Sequence, residues 1–139
     1  MKQFLCVEYK FHDRRRGHWI SFPFIWFMII PLFLFDICLE IYHRICFPIY
    51  GIKIVRRKDY IRMDRHKLSY LGIVDKINCE YCGYANGLMQ YAARIAGDTE
   101  KYWCGIKHKR TKGYSEPSHH KGFLEYGDEK AYRQKYNGR

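Results

Sequence analysis

From Trp19 to Phe35 the chain reads WISFPFIWFMIIPLFLF, seventeen residues without a charge. A helix that crosses hydrocarbon needs about 20 apolar residues, with about 17 as the lower limit. Apolar side chains on every face set this run apart from a core helix, which keeps a polar side. Pro23 and Pro31 lie inside it; each removes a backbone donor and predicts a kink. Beyond Pro31 the pattern changes. Asp36, Glu40, His43 and Arg44 share one helical face, with Ile37, Leu39, Ile41, Ile45 and Cys46 around the rest. Further on, Leu68, Leu71, Val74 and Ile77 predict a helix over 66–77. Tyr84, Leu88, Tyr91, Ala92 and Ile95 predict another over 85–96, with Gly97 at its end. From Lys109 onward no long apolar period remains, which reads as a surface-wrapping tail. The expected fold is mainly α. A basic segment (1–18) leads into a membrane anchor with an amphipathic interfacial helix (19–55), then a small helical domain (56–108) and an irregular basic, aromatic tail (109–139).

Charge sharpens the membrane reading. The formal net charge is +11, and it is uneven: +3 over residues 1–18, zero over 19–55 and +8 over 56–139. Arg14, Arg15 and Arg16 precede the apolar block, and Arg56, Arg57 and Lys58 follow it. Basic flanks mark the cytoplasmic side of a membrane segment, and here both flanks qualify. A bent helix that enters one leaflet and returns fits this best, with both flanks in the cytoplasm; a tilted single span is the alternative. The apolar region is long for a cleaved leader, and no small-x-small site follows it. Each base beside the block adds about 1 kcal/mol of attraction to an anionic surface. Anionic headgroups are therefore the expected partners of these residues, and nucleic acid is not.

The polar face Asp36, Glu40, His43, Arg44 has two readings. Glu40-x-x-His43 has the i, i+3 spacing that di-metal helical bundles use, whereas the other such pair, Glu116-x-x-His119, contains Pro117 and reads as loop. The simpler reading is a salt-bridged face, Asp36 or Glu40 with Arg44, or contacts to a partner helix.

Thiols and imidazoles carry the remaining chemistry. Cys79 and Cys82 stand two residues apart and are followed by Gly83; Cys104 and His108 follow after twenty-one residues. Two thiols of one turn can face one ion, and Cys and His at i, i+4 can complete a tetrahedron. The set Cys79, Cys82, Cys104, His108 is an acceptable Cys3His site, with zinc as the default occupant and iron as the alternative. Buried free thiols or a redox pair at Cys79 and Cys82 are the competing readings. Over six residues, C-E-Y-C-G-Y resembles the knuckle of rubredoxins and zinc ribbons; this resemblance implies a metal held by Cys79 and Cys82. The adjacent pair His119-His120 lacks a spaced partner and is a weak metal signal.

No phosphate-binding glycine loop, nucleophile elbow or His-Glu-x-x-His helix is present. No catalytic residue is assigned. The expected function is a membrane-anchored metal-binding accessory or assembly subunit of a membrane protein complex. An iron–thiolate electron carrier for a membrane oxidoreductase is the alternative, and a membrane-tethered nucleic-acid-binding zinc module the third reading.

Overall fold

The computed structural model describes residues 15–136. Among the described residues the α-helices are α1 (Arg15–Phe27), α2 (Ile29–Ile49), α3 (Ile73–Trp103) and α4 (Glu129–Tyr136), and there is no β-strand. Single 3-10 turns occur at Arg57–Asp59, Arg65–Lys67 and Ser118–His120. The chain divides within α3 into two compact units, Met1–Ala92 and Ala93–Arg139.

In the first unit, α1 and α2 are separated only by Met28, whose N–H bonds to the Ile25 carbonyl at 3.2 Å. The interruption falls three residues before Pro31. That proline cannot donate to the Phe27 carbonyl four residues back, and its ring crowds it, so the helix restarts. Pro23 lies inside α1. The stretch Trp19–Ile49 is long and apolar enough to cross a membrane.

One side of α2 is nevertheless covered. Ile29, Leu32, Asp36, Glu40, His43 and Phe47 are at least half-buried, at helical spacing, while Ile30, Phe33, Ile37, Ile41 and Ile45 are exposed on the other side. The covering elements are the first turns of α3 and an irregular strap over residues 51–72. Tyr81 of α3 donates to the Ile25 carbonyl at 2.9 Å and its ring lies 5.4 Å from that of Trp26. Further along α3, Tyr84 reaches Asp36 and Tyr91 reaches Glu40, so α3 ascends in the same direction as α1 and α2. The strap runs back between them: Val55 meets His43, Arg57 meets Asp36, Tyr60 approaches Gly87 and Arg62 approaches Gly83. Leu88, Tyr91 and Phe47 form the buried core, the first two on the stripe that the sequence predicts.

Two predicted helices thus merge in part. The segment 66–72 holds a 3-10 turn and bends, and α3 then runs unbroken from Ile73 to Trp103. Gly97 does not end it. A Cβ there would meet Cγ of His119 at 2.8 Å, so Gly97 serves close packing instead. The stop is Gly105, at φ +61°, whose N–H returns to the Glu100 carbonyl at 3.0 Å; only glycine takes that conformation without strain.

In the second unit the predicted irregular tail is partly ordered. Lys107 donates to the Leu124 carbonyl at 2.8 Å and Leu124 to the Gly105 carbonyl at 2.9 Å, a single parallel bridge between residues 106 and 124. Phe123 and Ile95 are buried. Asp128 caps α4 by accepting the Ala131 N–H at 3.0 Å.

Gly87 provides the sharpest test of the strap. A methyl group there would lie 2.7 Å from the Tyr60 carbonyl oxygen and 2.8 Å from Ile61 Cα, both backbone atoms. Gly87→Ala is expected to destabilise the protein by about 1–3 kcal/mol, although alanine favours helix. Thermal melts in mild detergent check this; an unchanged or raised melting temperature would show that the strap does not pack on α3.

Candidate functional sites

The polar face of α2 is resolved by residues from elsewhere in the first unit. Arg57 forks onto Asp36, with Nη2 donating to Oδ2 at 2.6 Å and Nη1 donating to Oδ1, and Nη1 also reaches Glu40 Oε1 at 3.4 Å. Tyr84 donates to Asp36 Oδ2 at 2.8 Å. Arg44 pairs with Glu40 at 2.9 Å, one turn along the helix. The salt-bridged face expected from spacing is present for Glu40, and the partner helix is the chain's own α3.

His43 is 1% exposed. Its Nε2 accepts the Val55 N–H at 3.0 Å, which puts the proton of the neutral ring on Nδ1. Nδ1 faces the Tyr91 hydroxyl at 2.9 Å, and that hydroxyl donates to Glu40 Oε1 at 2.9 Å. Both ring nitrogens are therefore engaged, and Glu40-His43 does not form half of a di-metal site. The electrostatics follow. Burial and the hydrogen bond to Asp36 push the Tyr84 hydroxyl up to about 12. Burial and the bond to Glu40 likewise raise Tyr91. Both tyrosines stay protonated donors.

The second cluster lies in the second unit. Glu100 is on the last turns of α3, His108 follows the Gly105 stop, and His119 and His120 both lie in the Ser118–His120 turn. His119 Nε2 is 2.8 Å from Glu100 Oε2, His120 Nε2 is 3.2 Å from Oε1, and His108 Nε2 is 3.7 Å from Oε1. His120 stacks on Phe123 with ring centres 4.9 Å apart. Burial alone would raise the Glu100 carboxyl, but the His119 hydrogen bond and the charges of His120 and His119 hold it below its ordinary 4.5. Ligand atoms of Glu100, His108 and His120 lie within 4.8 Å of one another, the metal-sized grouping among the described residues.

The Cys3His set is not assembled. Cys79 and Cys82 lie on successive turns inside α3, and Cys104 follows its last residue. The residues after Cys82 extend the helix at about 1.5 Å each rather than returning the chain to the first two thiols. Cys104 and His108 do not share a helical turn either, because Gly105 breaks it. Cys38, Cys46, Cys79, Cys82 and Cys104 are free thiols. Gly83, part of the run that resembles a metal knuckle, instead admits the Arg62 carbonyl, 2.9 Å from where its Cβ would sit.

Of the expected surface bases, Arg56 and Lys58 are exposed, whereas Arg57 is committed to Asp36 and Glu40. Arg14 lies outside the described residues, as do the side chains of Arg15 and Arg16. Sequence reasoning missed Arg57, Tyr84 and Tyr91 as partners of the polar face, and Glu100 as a candidate ligand. Glu100 precedes Cys104 by four residues and His108 by eight, so the spacing that singled out those two applied equally to it.

Two outcomes test these networks. Arg57→Met leaves Asp36 half-sealed without its cation and is expected to cost about 2–4 kcal/mol, most of it recovered in Arg57→Met/Asp36→Leu; urea melts of the single and double variants check the coupling. The depressed Glu100 carboxyl contributes stability that is present above pH 4.5 and lost as pH falls through its lower folded value. Glu100→Gln is expected to flatten that acid limb in melts followed between pH 6 and pH 3. No protein-family model, no curated protein and no solved structure matches this chain.

Proposed function

We propose that this chain is a monotopic membrane protein, held in one leaflet by one side of α1 and α2, and that it serves as an accessory or assembly subunit of a membrane complex. The two-sidedness of α2 carries the reading. Ile30, Phe33, Ile37, Ile41 and Ile45 face outward, while Asp36, Glu40 and His43 are matched by the strap and α3. An apolar surface opposite a satisfied polar one suits the membrane interface.

A transverse α2 fits less well. The strap lies along it and exposes Arg62, Asp64, Arg65 and Lys67, and α3 exposes Asn86 and Gln90. Each basic or acidic residue taken to mid-bilayer costs about 2.5–3.5 kcal/mol. With α2 lying in the interface those groups stay in water, and Arg56 and Lys58 meet anionic headgroups on the cytoplasmic side. Along α1, Trp19, Phe24 and Phe27 remain exposed. A neighbouring transmembrane helix can cover them as well as lipid can, and this is the surface an accessory subunit would offer its partner.

The test uses sealed vesicles of anionic lipid. The protein should stay bound through alkaline carbonate and 1 M salt, and tags at both termini should be cleaved by protease on the same side. Phe33→Arg/Ile37→Arg/Ile41→Arg should release it into the carbonate supernatant while retaining its helix content by circular dichroism. Tags protected on opposite sides would replace the monotopic reading with a span; release of the wild type by salt alone would remove the anchor.

A further inference from the structure

We propose that Glu100, His108 and His120 form a binding site for a divalent transition-metal ion of the zinc class, with His119 as a positioning residue that orients the carboxylate. This site is independent of the bilayer reading, since all four residues belong to the second unit.

The spacing of the donor atoms is the first argument. Zinc binds imidazole nitrogen and carboxylate oxygen at about 2.0–2.2 Å, so neighbouring ligands of a tetrahedron stand about 3.3 Å apart. His120 Nε2 and His108 Nε2 approach Glu100 Oε1 at 3.2 and 3.7 Å. The longer distance is beyond hydrogen-bond range; within the chain it is at most an ion-pair contact to Glu100. Two nitrogens converging on one oxygen, at the edge length of a coordination polyhedron, do point to a shared cation.

His120 gives the second argument. It is 1% exposed, and its Nδ1 is a buried side-chain atom without a hydrogen-bond partner. An unmatched buried polar atom costs about 1–3 kcal/mol. The ring is placed instead by its stack on Phe123 and by Nε2, which faces both oxygens of Glu100 at 3.2 and 3.4 Å and is the nitrogen a cation there would take.

The surrounding chain holds the donors in place. Gly97 leaves room for the His119 ring, which engages Glu100 Oε2 at 2.8 Å; His120 Nε2 also approaches Oε2 at 3.4 Å, but Oε1 is its closer oxygen and the one His108 faces. Metal-binding carboxylates are commonly oriented by such a bond. The bridge between residues 106 and 124 ties together the two segments that carry His108 and His120. His108 is two-thirds exposed, so an ion can enter from solvent and a fourth position remains open to water. Imidazole and carboxylate without thiolate suit zinc and neighbouring divalent ions.

Full-length protein in mild detergent, stripped with chelator and dialysed, would be titrated with Zn2+. One ion per chain is expected. His108→Ala and Glu100→Gln should each weaken binding by about 100-fold, and His119→Ala by about 10-fold. Cys79→Ser/Cys82→Ser/Cys104→Ser should bind as the wild type does, and Co2+ in the wild type should give no thiolate charge-transfer band. His108 is exposed enough that its loss should leave the far-ultraviolet spectrum of the metal-free protein unchanged; His108→Gln is a second, shape-preserving variant. Zinc binding that survives His108→Ala and Glu100→Gln, binding that disappears in the cysteine variant, or no binding by the wild type at micromolar zinc would each overturn the site.

Discussion

The first unit depends on the Arg57 guanidinium seated against Asp36 and Glu40. A largely apolar helix carries two carboxylates on one face, one of them also paired with Arg44 of the same helix, and neither lipid nor a hydrocarbon core can solvate them. Arg57 supplies a planar donor fork that matches a carboxylate geometrically, and Tyr84 and Tyr91 fill remaining acceptor positions. This arrangement fixes more than charge. The fork requires the 3-10 turn at Arg57–Asp59 to lie against α2, and the strap must then pass so close to α3 that Gly83 and Gly87 face its backbone. Burying such a pair gives little net stability by itself, because desolvation offsets attraction. In the register observed, strap and α3 together satisfy both acids.

His43 extends the same logic. The amide of Val55, the imidazole, the Tyr91 hydroxyl and Glu40 form a directional chain of hydrogen bonds, each with its donor and acceptor assigned. A buried histidine on the polar face of an apolar helix invites a metal reading, and the engaged nitrogens explain it without one. The difference between the two histidine environments is instructive. His43 has both nitrogens occupied, while His120 is equally buried and leaves Nδ1 unmatched.

What was legible in the sequence was periodicity. The stripe Tyr84, Leu88, Tyr91, Ile95 was readable because helix packing requires side chains at three- and four-residue intervals, and those residues line the buried side of α3. The apolar block and its polar face were readable for the same reason. The identity of the groups that satisfy that face was not, because Arg57 and Tyr91 are separated from it by 17 to 51 residues and no local rule links them. Glycine misled twice. Gly83 and Gly97 looked like a metal knuckle and a helix stop, since either role uses glycine's conformational freedom. Their actual role is the absence of a side chain, which depends on what approaches from elsewhere. With Gly97 helical, the return that would have closed a Cys3His tetrahedron became two more turns of α3, and the cluster formed instead around Glu100. His119 and His120 were visible but uninterpretable, because their partner sits 19 and 20 residues upstream across an irregular connection.

A thin core makes the second unit's cluster consequential. Among its described residues the buried apolar side chains are Ile95 and Phe123, and a core that small contributes only a few kcal/mol against the entropy of ordering the loop. The bridge at residues 106 and 124 and the cap at Asp128 add roughly 1 kcal/mol each. Small units in this position are usually completed by a cross-link, a metal or a partner. The five described cysteines are free thiols; Lys107 ties the loop by pairing with Glu116 and Glu125, and the imidazole–carboxylate cluster is a second place where it can be fastened. A metal there would join the end of α3 to the segments that carry His108 and His120. Loop closure of that kind stabilises most where the closed loop is long. An ion at Glu100 would thus add closure to a unit whose described buried apolar core is two side chains.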